Sequence, residues 1–272
     1  MTMGLLKLFR LPLAVMNGVA AVGGYLLFPA PADLKSAAAV LLGVSLLAAA
    51  ASALNQVLER DLDALMSRTG NRPLPRGDLA PATAVAIGVA LLLVGASVLA
   101  FSGGVAPVVL GSGTVAWYLG VYTPLKRRTP FALLLGALCG SAAPFIGWSV
   151  AGGALYDFRV VLLAGVIYLW QVPHFWLLRR RFTDDYRLAG FPVFEPPGEG
   201  CGLAPVCRLW IGAMLAGTLM LPAFGIVDLN PLLCFIAFFT AILLTSFRRF
   251  EPAVFAALNL FPLVVTIALC LG

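Results

Sequence analysis

Residues 55–77 read Asn55-Gln-Val-Leu-Glu59-Arg60-Asp61-Leu-Asp63-Ala-Leu-Met-Ser-Arg68-Thr-Gly-Asn71-Arg72-Pro-Leu-Pro-Arg76-Gly77, the densest charge in a very apolar chain, directly after a long hydrophobic run. Asn55, Glu59 and Asp63 are spaced by four. Each four-residue step on a helix advances about 400°, so the three drift only about 40° per step and share a face, with Asp61 nearly opposite Glu59. That face offers an amide oxygen and two carboxylates, hard oxygen ligands of the kind Mg2+ takes together with substrate phosphate. Arg68, Arg72 and Arg76 recur at the same interval just beyond. Carboxylates and arginines beside a membrane helix point to a metal-bridged diphosphate site. A solvated loop is the plainer alternative, but Asn55 and Glu59 abut the apolar run, where polar groups are costly.

The flanking chain defines the setting. Of its 272 residues 61% are hydrophobic and 11% charged, against about 25% charged in a soluble domain. The expectation is an all-α polytopic membrane protein in the lipid bilayer, one domain over residues 1–272. A spanning helix needs about 20 apolar residues. Nine candidate spans fall at 11–28, 37–58, 80–101, 105–122, 131–149, 160–178, 207–224, 230–247 and 252–271. With the N-terminus in the cytoplasm, sixteen of the 18 Lys and Arg residues lie on the inner side, and only Lys35 and Arg159 lie outside. That bias supports both the helix count and the orientation. The outer loops are short, whereas the inner loops after the second and sixth spans are long and polar. An active site is therefore expected on the cytoplasmic side, over an apolar chamber. The net charge of +6 describes inner loops and is no argument for nucleic acid. Lys7 and Arg10 precede an apolar run with no clear small-residue cleavage site before Pro29, so no cleaved signal peptide is expected. The five Cys form no disulfide framework or common zinc pattern.

Three further clusters carry chemistry. Residues 179–192 hold Arg179-Arg-Arg-Phe-Thr-Asp184-Asp185-Tyr186-Arg-Leu-Ala-Gly190-Phe-Pro192, a second acidic loop on the inner side. Two acidic loops over one chamber can hold metal ions around a diphosphate. Tyr122-Thr-Pro-Leu-Lys126-Arg127-Arg128-Thr129-Pro130 closes the fourth span. Lys126 and Arg127 can grip a diphosphate, or serve only as a positive-inside anchor. Leu169-Trp170-Gln171-Val172-Pro173-His174-Phe175-Trp176 closes the sixth and carries the single histidine. His174 is open to three roles: binding haem iron, moving a proton, or orienting Asp185.

N-x-x-x-E-R-D-x-D followed by R-T-x-N-R-P-L resembles the first aspartate-rich motif of the UbiA intramembrane prenyltransferases, in its protohaem IX farnesyltransferase (haem O synthase) form. D-Y-x-x-A-G-x-P resembles the second motif, at Asp185 and Tyr186. Y-T-x-x-K-R-x-T and W-Q-x-P-H-F-W resemble the haem O synthases as well, the last setting them apart from quinone prenyltransferases. The likeness runs to Pro192; beyond Phe194 only hydropathy matches. This resemblance implies a UbiA-type bundle and an enzyme using farnesyl diphosphate, with haem as the acceptor substrate. Mg2+ would sit on Asn55, Glu59, Asp63 and Asp185. Arg68, Arg72, Lys126 and Arg127 would bind the diphosphate, and Tyr122 or Tyr186 would face an allylic cation. A bacterial inner-membrane location follows if the source is bacterial, and a next-step haem enzyme or oxidase assembly partner fits the same implication. An aromatic, quinone-precursor or chlorophyllide acceptor stays open as the alternative within the class. A transporter is disfavoured, because its site belongs near the bilayer midplane and not at helix ends on one side.

Overall fold

The computed structural model of the chain describes residues 2–193, 205–228, 240 and 251–271. Among them every regular element is helical. A short α1 (Thr2–Phe9) turns into α2 (Leu11–Leu26). Then follow α3 (Leu34–Leu58), short α4 (Arg60–Leu65), α5 (Pro81–Gly103) and α6 (Val105–Leu125). The second half holds α7 (Ala132–Val150), α8 (Phe158–Arg181), short α9 (Thr183–Leu188), α10 (Pro205–Ala223) and α11 (Glu251–Leu271). Six of these, α3, α5, α6, α7, α8 and α10, are long and apolar enough to cross a membrane; α2 and the Val254–Cys270 part of α11 are shorter apolar helices. Eight of the nine expected spans thus meet a helix, with shifted ends: α3 begins at Leu34 rather than 37, and α8 runs on to Arg181 rather than 178. The span expected at 230–247 falls outside the described residues, apart from a helical Thr240.

Local chemistry sets the helix ends. The Asp33 carboxylate accepts the Ser36 N–H at 2.8 Å and caps α3. Asp157 does the same for α8 through Arg159 N–H at 2.9 Å, and Arg179, Arg180 and Arg181 sit on that helix's negative C-terminal end. Pro81 opens α5, where a missing N–H costs nothing.

The two largest apolar clusters among the described residues divide the bundle. Val44, Leu47, Leu99, Val115 and Ile146 join α3, α5, α6 and α7 to α2. Leu163, Ile167, Ile211, Met214, Leu258 and Phe261 join α8 to α10 and α11. The seam between α2 and α7 is backbone against backbone: a Cβ on Gly24 would collide with the Pro144 carbonyl, and one on Gly147 with the Ala21 carbonyl. Small residues allow this approach, which matters where lipid offers no hydrophobic drive for helix association. Large apolar side chains meanwhile point outward, with Phe101 93% exposed and Leu42, Leu93, Val109 and Leu209 also exposed. In water such a belt would aggregate; in hydrocarbon it is solvated. The chain is a multi-pass membrane protein.

The polar ends of α3, α6 and α8 come together with α1, α4 and α9. Lys126 reaches Glu59, Arg179 donates to the Pro130 carbonyl at 3.2 Å, Asp185 holds Ser67, and Lys7 donates to the Asn71 carbonyl at 3.3 Å.

Candidate active site

Helix α3 ends at Glu59, whose φ/ψ of −114/14 leaves the helical region. The four-residue ladder nonetheless runs through the kink: Glu59 N–H bonds the Asn55 carbonyl at 2.9 Å, and Asp63 N–H bonds the Glu59 carbonyl at 2.8 Å. Asn55, Glu59 and Asp63 therefore keep their common face although one helix does not carry all three. They are 5%, 5% and 2% exposed, whereas the Asp61 side chain is 87% exposed and pairs with Arg60.

Buried carboxylates need compensation, and it comes from distant chain. Lys126 Nζ lies 2.6 Å from Glu59 Oε2, to which Asn55 Nδ2 also donates at 2.9 Å. Thr123 Oγ1 donates to Asn55 Oδ1 at 2.8 Å. Arg127 Nε stands 3.9 Å from Glu59 Oε1, and its Nη2 donates to the Leu58 carbonyl at 3.0 Å. Arg72 Nη1 pairs with Asp63 Oδ2 at 2.6 Å. Burial pulls the Lys126 ammonium below the usual lysine range against the opposing pull of Glu59; burial likewise lowers Arg72 against Asp63.

Helix α6 delivers Tyr118 and Tyr122 through a π turn over Tyr118–Tyr122. The sequence predicts a plain helix end there. A π turn is a wider coil that re-aims side chains and is often found at functional sites. Here the two rings stack at 5.5 Å, and Lys126 Nζ lies 5.3 Å above the Tyr122 ring.

The second acidic loop docks on the first. The Asp185 carboxylate accepts from Arg68 N–H at 3.0 Å, Ser67 N–H at 3.1 Å and Ser67 Oγ at 3.0 Å. These bonds, that from Arg68 N–H foremost, hold its pKa below the usual carboxylate value. Beneath them Met66, Ala189 and Phe191 form an apolar cluster with Leu62 and Tyr186. Arg179 lies 5.6 Å over the Tyr186 ring, and Arg68 lies 5.3 Å over Phe182. Asp185 thus joins the two loops, and it is not gathered with Glu59 and Asp63: among the described residues no three His, Cys, Asp or Glu groups stand at metal-binding spacing. Arg76 turns away to Asp78 at 3.1 Å, both exposed.

Below this polar roof lies a cavity of about 150 Å3, open between Ser52, Tyr118 and Tyr122 at one end and Gly111, Ile146 and Pro262 deeper in the bundle. Arg10, Trp170, Gln171, His174 and Phe175 also line it. His174 is packed among Trp170 and Phe255, both at 5.3 Å, and its Nδ1 is buried without a hydrogen-bond partner among the described residues. Asp185 takes its bonds from Ser67 and Arg68, so orienting Asp185 is not what His174 does here.

The donor set fits a hard divalent cation. Asn55 Oδ1, Glu59 and Asp63 are oxygen donors on one buried face, and Glu59 Oε1 is a buried carboxylate oxygen with no hydrogen bond among the described residues. Lys126 and Arg72 supply positive charge to these carboxylates.

Residues 17–270 match the UbiA prenyltransferase family. The chain belongs to it. Within the UbiA family, the chain is 53% identical to a protoheme IX farnesyltransferase of Geobacter sulfurreducens, over 98% of each chain. It is 43% identical to one from Oleidesulfovibrio alaskensis over 81% of this chain and 78% of the other. Its fold is similar to a UbiA homologue from Aeropyrum pernix at TM-score 0.78 and 21% identity, covering 96% of this chain and 98% of that one. It is also similar to a UbiA homologue from Archaeoglobus fulgidus bound to GPP and Mg2+, at TM-score 0.71 and 16% identity, covering 99% of this chain and all of the other.

Three residues placed at the candidate site of this UbiA member escaped the sequence reading. Thr123 and Ser67 are small hydroxyl residues whose partners lie 68 and 118 positions away. Thr123 sits inside the Y-T-x-x-K-R motif, so its place was visible but its partner was not. Arg10 reads as a positive-inside charge and proves to line the cavity.

Proposed function

We propose that this UbiA family member transfers the farnesyl group of farnesyl diphosphate to a vinyl group of protohaem IX, giving haem O. The observation that carries the reading is the buried Asn55–Glu59–Lys126 cluster roofing an apolar cavity walled by Tyr122 and His174. The 53% identity to a protoheme IX farnesyltransferase supports haem as the acceptor.

Asn55, Glu59 and Asp63 would hold one Mg2+, and Asp185, which stands apart from them on the facing loop, another; when bound, the metal offsets the negative charge of the diphosphate. Arg68, Arg72, Lys126 and Arg127 bind the phosphate oxygens, placing fixed positive charge where the leaving group gathers negative charge. On substrate entry Lys126 and Arg72 exchange carboxylate partners for phosphate, which would free Glu59 and Asp63 to hold the metal. The C1–O bond then breaks to diphosphate and an allylic farnesyl cation. The ring face of Tyr122 or Tyr186 stabilises that cation, and the apolar walls keep water from it. The terminal vinyl carbon donates its π pair to farnesyl C1, and the positive charge moves to the vinyl carbon next to the porphyrin ring. Water adds there and loses a proton, leaving the hydroxyethylfarnesyl group. His174 binds the acceptor from the cavity wall.

Residues 1–272 act as a single domain with nine spans and a cytoplasmic N-terminus. The site faces the cytoplasm from the inner membrane of a bacterium, within reach of a next-step haem enzyme or oxidase assembly partner. The lysine and arginine bias supports this placement.

The test is incubation of purified protein with farnesyl diphosphate, Mg2+ and reduced haem, with mass spectrometry of the porphyrin and a parallel EDTA arm. A product carrying farnesyl plus hydroxyl, absent with EDTA, is expected. Diphosphate release with an aromatic acceptor but not with haem would move the reading to another prenyl acceptor.

A further inference from the structure

Arg10 is the one residue other than glycine with a positive φ among the described residues, at φ 48 and ψ 52. Arginine holds this left-handed backbone only where its surroundings over-determine it. Here they do. Gln56 Nε2, fully buried, and Ser52 Oγ both donate to the Leu8 carbonyl, at 2.7 and 3.1 Å, tying the end of α1 to α3. On the other side Leu13 and Ala14 N–H bond the Arg10 carbonyl at 2.8 and 3.1 Å and start α2. The corner is clamped from both directions, and its side chain lines the cavity.

The neighbouring charges leave Arg10 uncompensated. Lys126 and Arg127 face Glu59, and Arg72 faces Asp63. Arg10 has no hydrogen bond or ion pair from its side chain among the described residues, while its charge lies close enough to Arg72 and Lys126 to oppose their protonation. A cation set into the wall of an apolar cavity, beside other cations, is matched by an anion that arrives with the ligand.

We propose that Arg10 is a substrate-anchoring residue whose guanidinium takes an oxyanion of a molecule seated in the cavity. Two sources share that chemistry: the diphosphate of the prenyl donor and a carboxylate of the acceptor. The proposal rests on the farnesyltransferase reading only for the identity of the two probes.

Arg10→Gly is the discriminating variant. Glycine adopts φ 48 freely, so it removes the guanidinium while keeping the corner. Detergent-purified wild type, Arg10→Gly and Arg10→Lys would be titrated with farnesyl diphosphate in Mg2+, with protohaem IX, and with its dimethyl ester. Loss of one charge-assisted contact should weaken one affinity about ten- to a hundredfold in Arg10→Gly, with an unchanged or raised Tm and partial recovery in Arg10→Lys. Weakened farnesyl diphosphate binding assigns the oxyanion to the diphosphate. Weakened protohaem binding, with wild type and variant equal on the diester, assigns it to a carboxylate. Unchanged affinity for both probes overturns the proposal, as does loss of both together with a lowered Tm that Arg10→Lys does not recover. Failure of the wild type to farnesylate haem would count against the enzymatic reading alone, because the affinities that test Arg10 are measured without turnover.

Discussion

Glu59 shows how one residue is defined by what surrounds it. It ends a helix, accepts from Asn55 and Lys126, and keeps one oxygen free of hydrogen bonds among the described residues. Two residues on, Asp61 has the same chemistry and none of the setting, being exposed and paired with Arg60. Glu59→Gln keeps the shape and removes the charge, stranding Lys126 among buried groups. We expect farnesyl transfer to fall by about a hundredfold or more, the scale of losing a preorganised electrostatic group. Asp61→Ala should leave transfer near the wild-type rate. Initial rates of the two variants side by side separate a placed carboxylate from loop charge. The spacing of Asn55, Glu59 and Asp63 made the first of these residues legible. The 2.6 Å contact to Lys126 was not, because those residues are 67 positions apart and only helix packing sets them together.

At the scale of elements, the docking of α9 on the first acidic loop rests on few contacts. Asp185 takes two backbone N–H groups, of Ser67 and Arg68, over the small Met66–Phe191 cluster. An amide in place of the carboxylate would be a weaker acceptor and lacks the charge that shortens such bonds. Asp185→Asn should speed hydrogen exchange at Ser67 and Arg68, with helix α3 unaffected; unchanged exchange would mean that the apolar cluster alone holds the loops. The α2–α7 seam is the opposite case, close and unforgiving. Gly147→Val places a side chain against the Ala21 carbonyl, and overpacking of this kind costs about 1–3 kcal/mol or more. A lowered Tm in detergent is expected, and an unchanged one would show that α2 and α7 can separate. Hydropathy placed these helices well, but it carries no signal for the kink at Glu59 or the π turn at Tyr118–Tyr122. Both are local departures that burial and cross-helix bonds stabilise.

For the whole molecule, the ends that meet near Glu59 form one face. Orientation follows if that face is cytoplasmic. In a cysteine-free background, Arg128→Cys should react with an impermeant thiol reagent only from the cytoplasmic side, and Ala154→Cys only from the other. Labelling of both from one side would refute the nine-span proposal. The class of the fold and the acidic clusters were legible in the linear chain. An apolar run of about 20 residues has few fates other than a membrane helix, and carboxylates beside such a run carry a cost that only function repays. Tertiary structure alone decided the rest. It chose Thr123 and Lys126 as the partners of Asn55 and Glu59, gave Asp185 to Ser67 and Arg68, and turned Arg10 into the cavity wall. The physical reason is range: hydropathy and helical spacing act within a few turns of one chain segment, whereas a buried charge is settled by whichever distant side chain packing brings within hydrogen-bond reach.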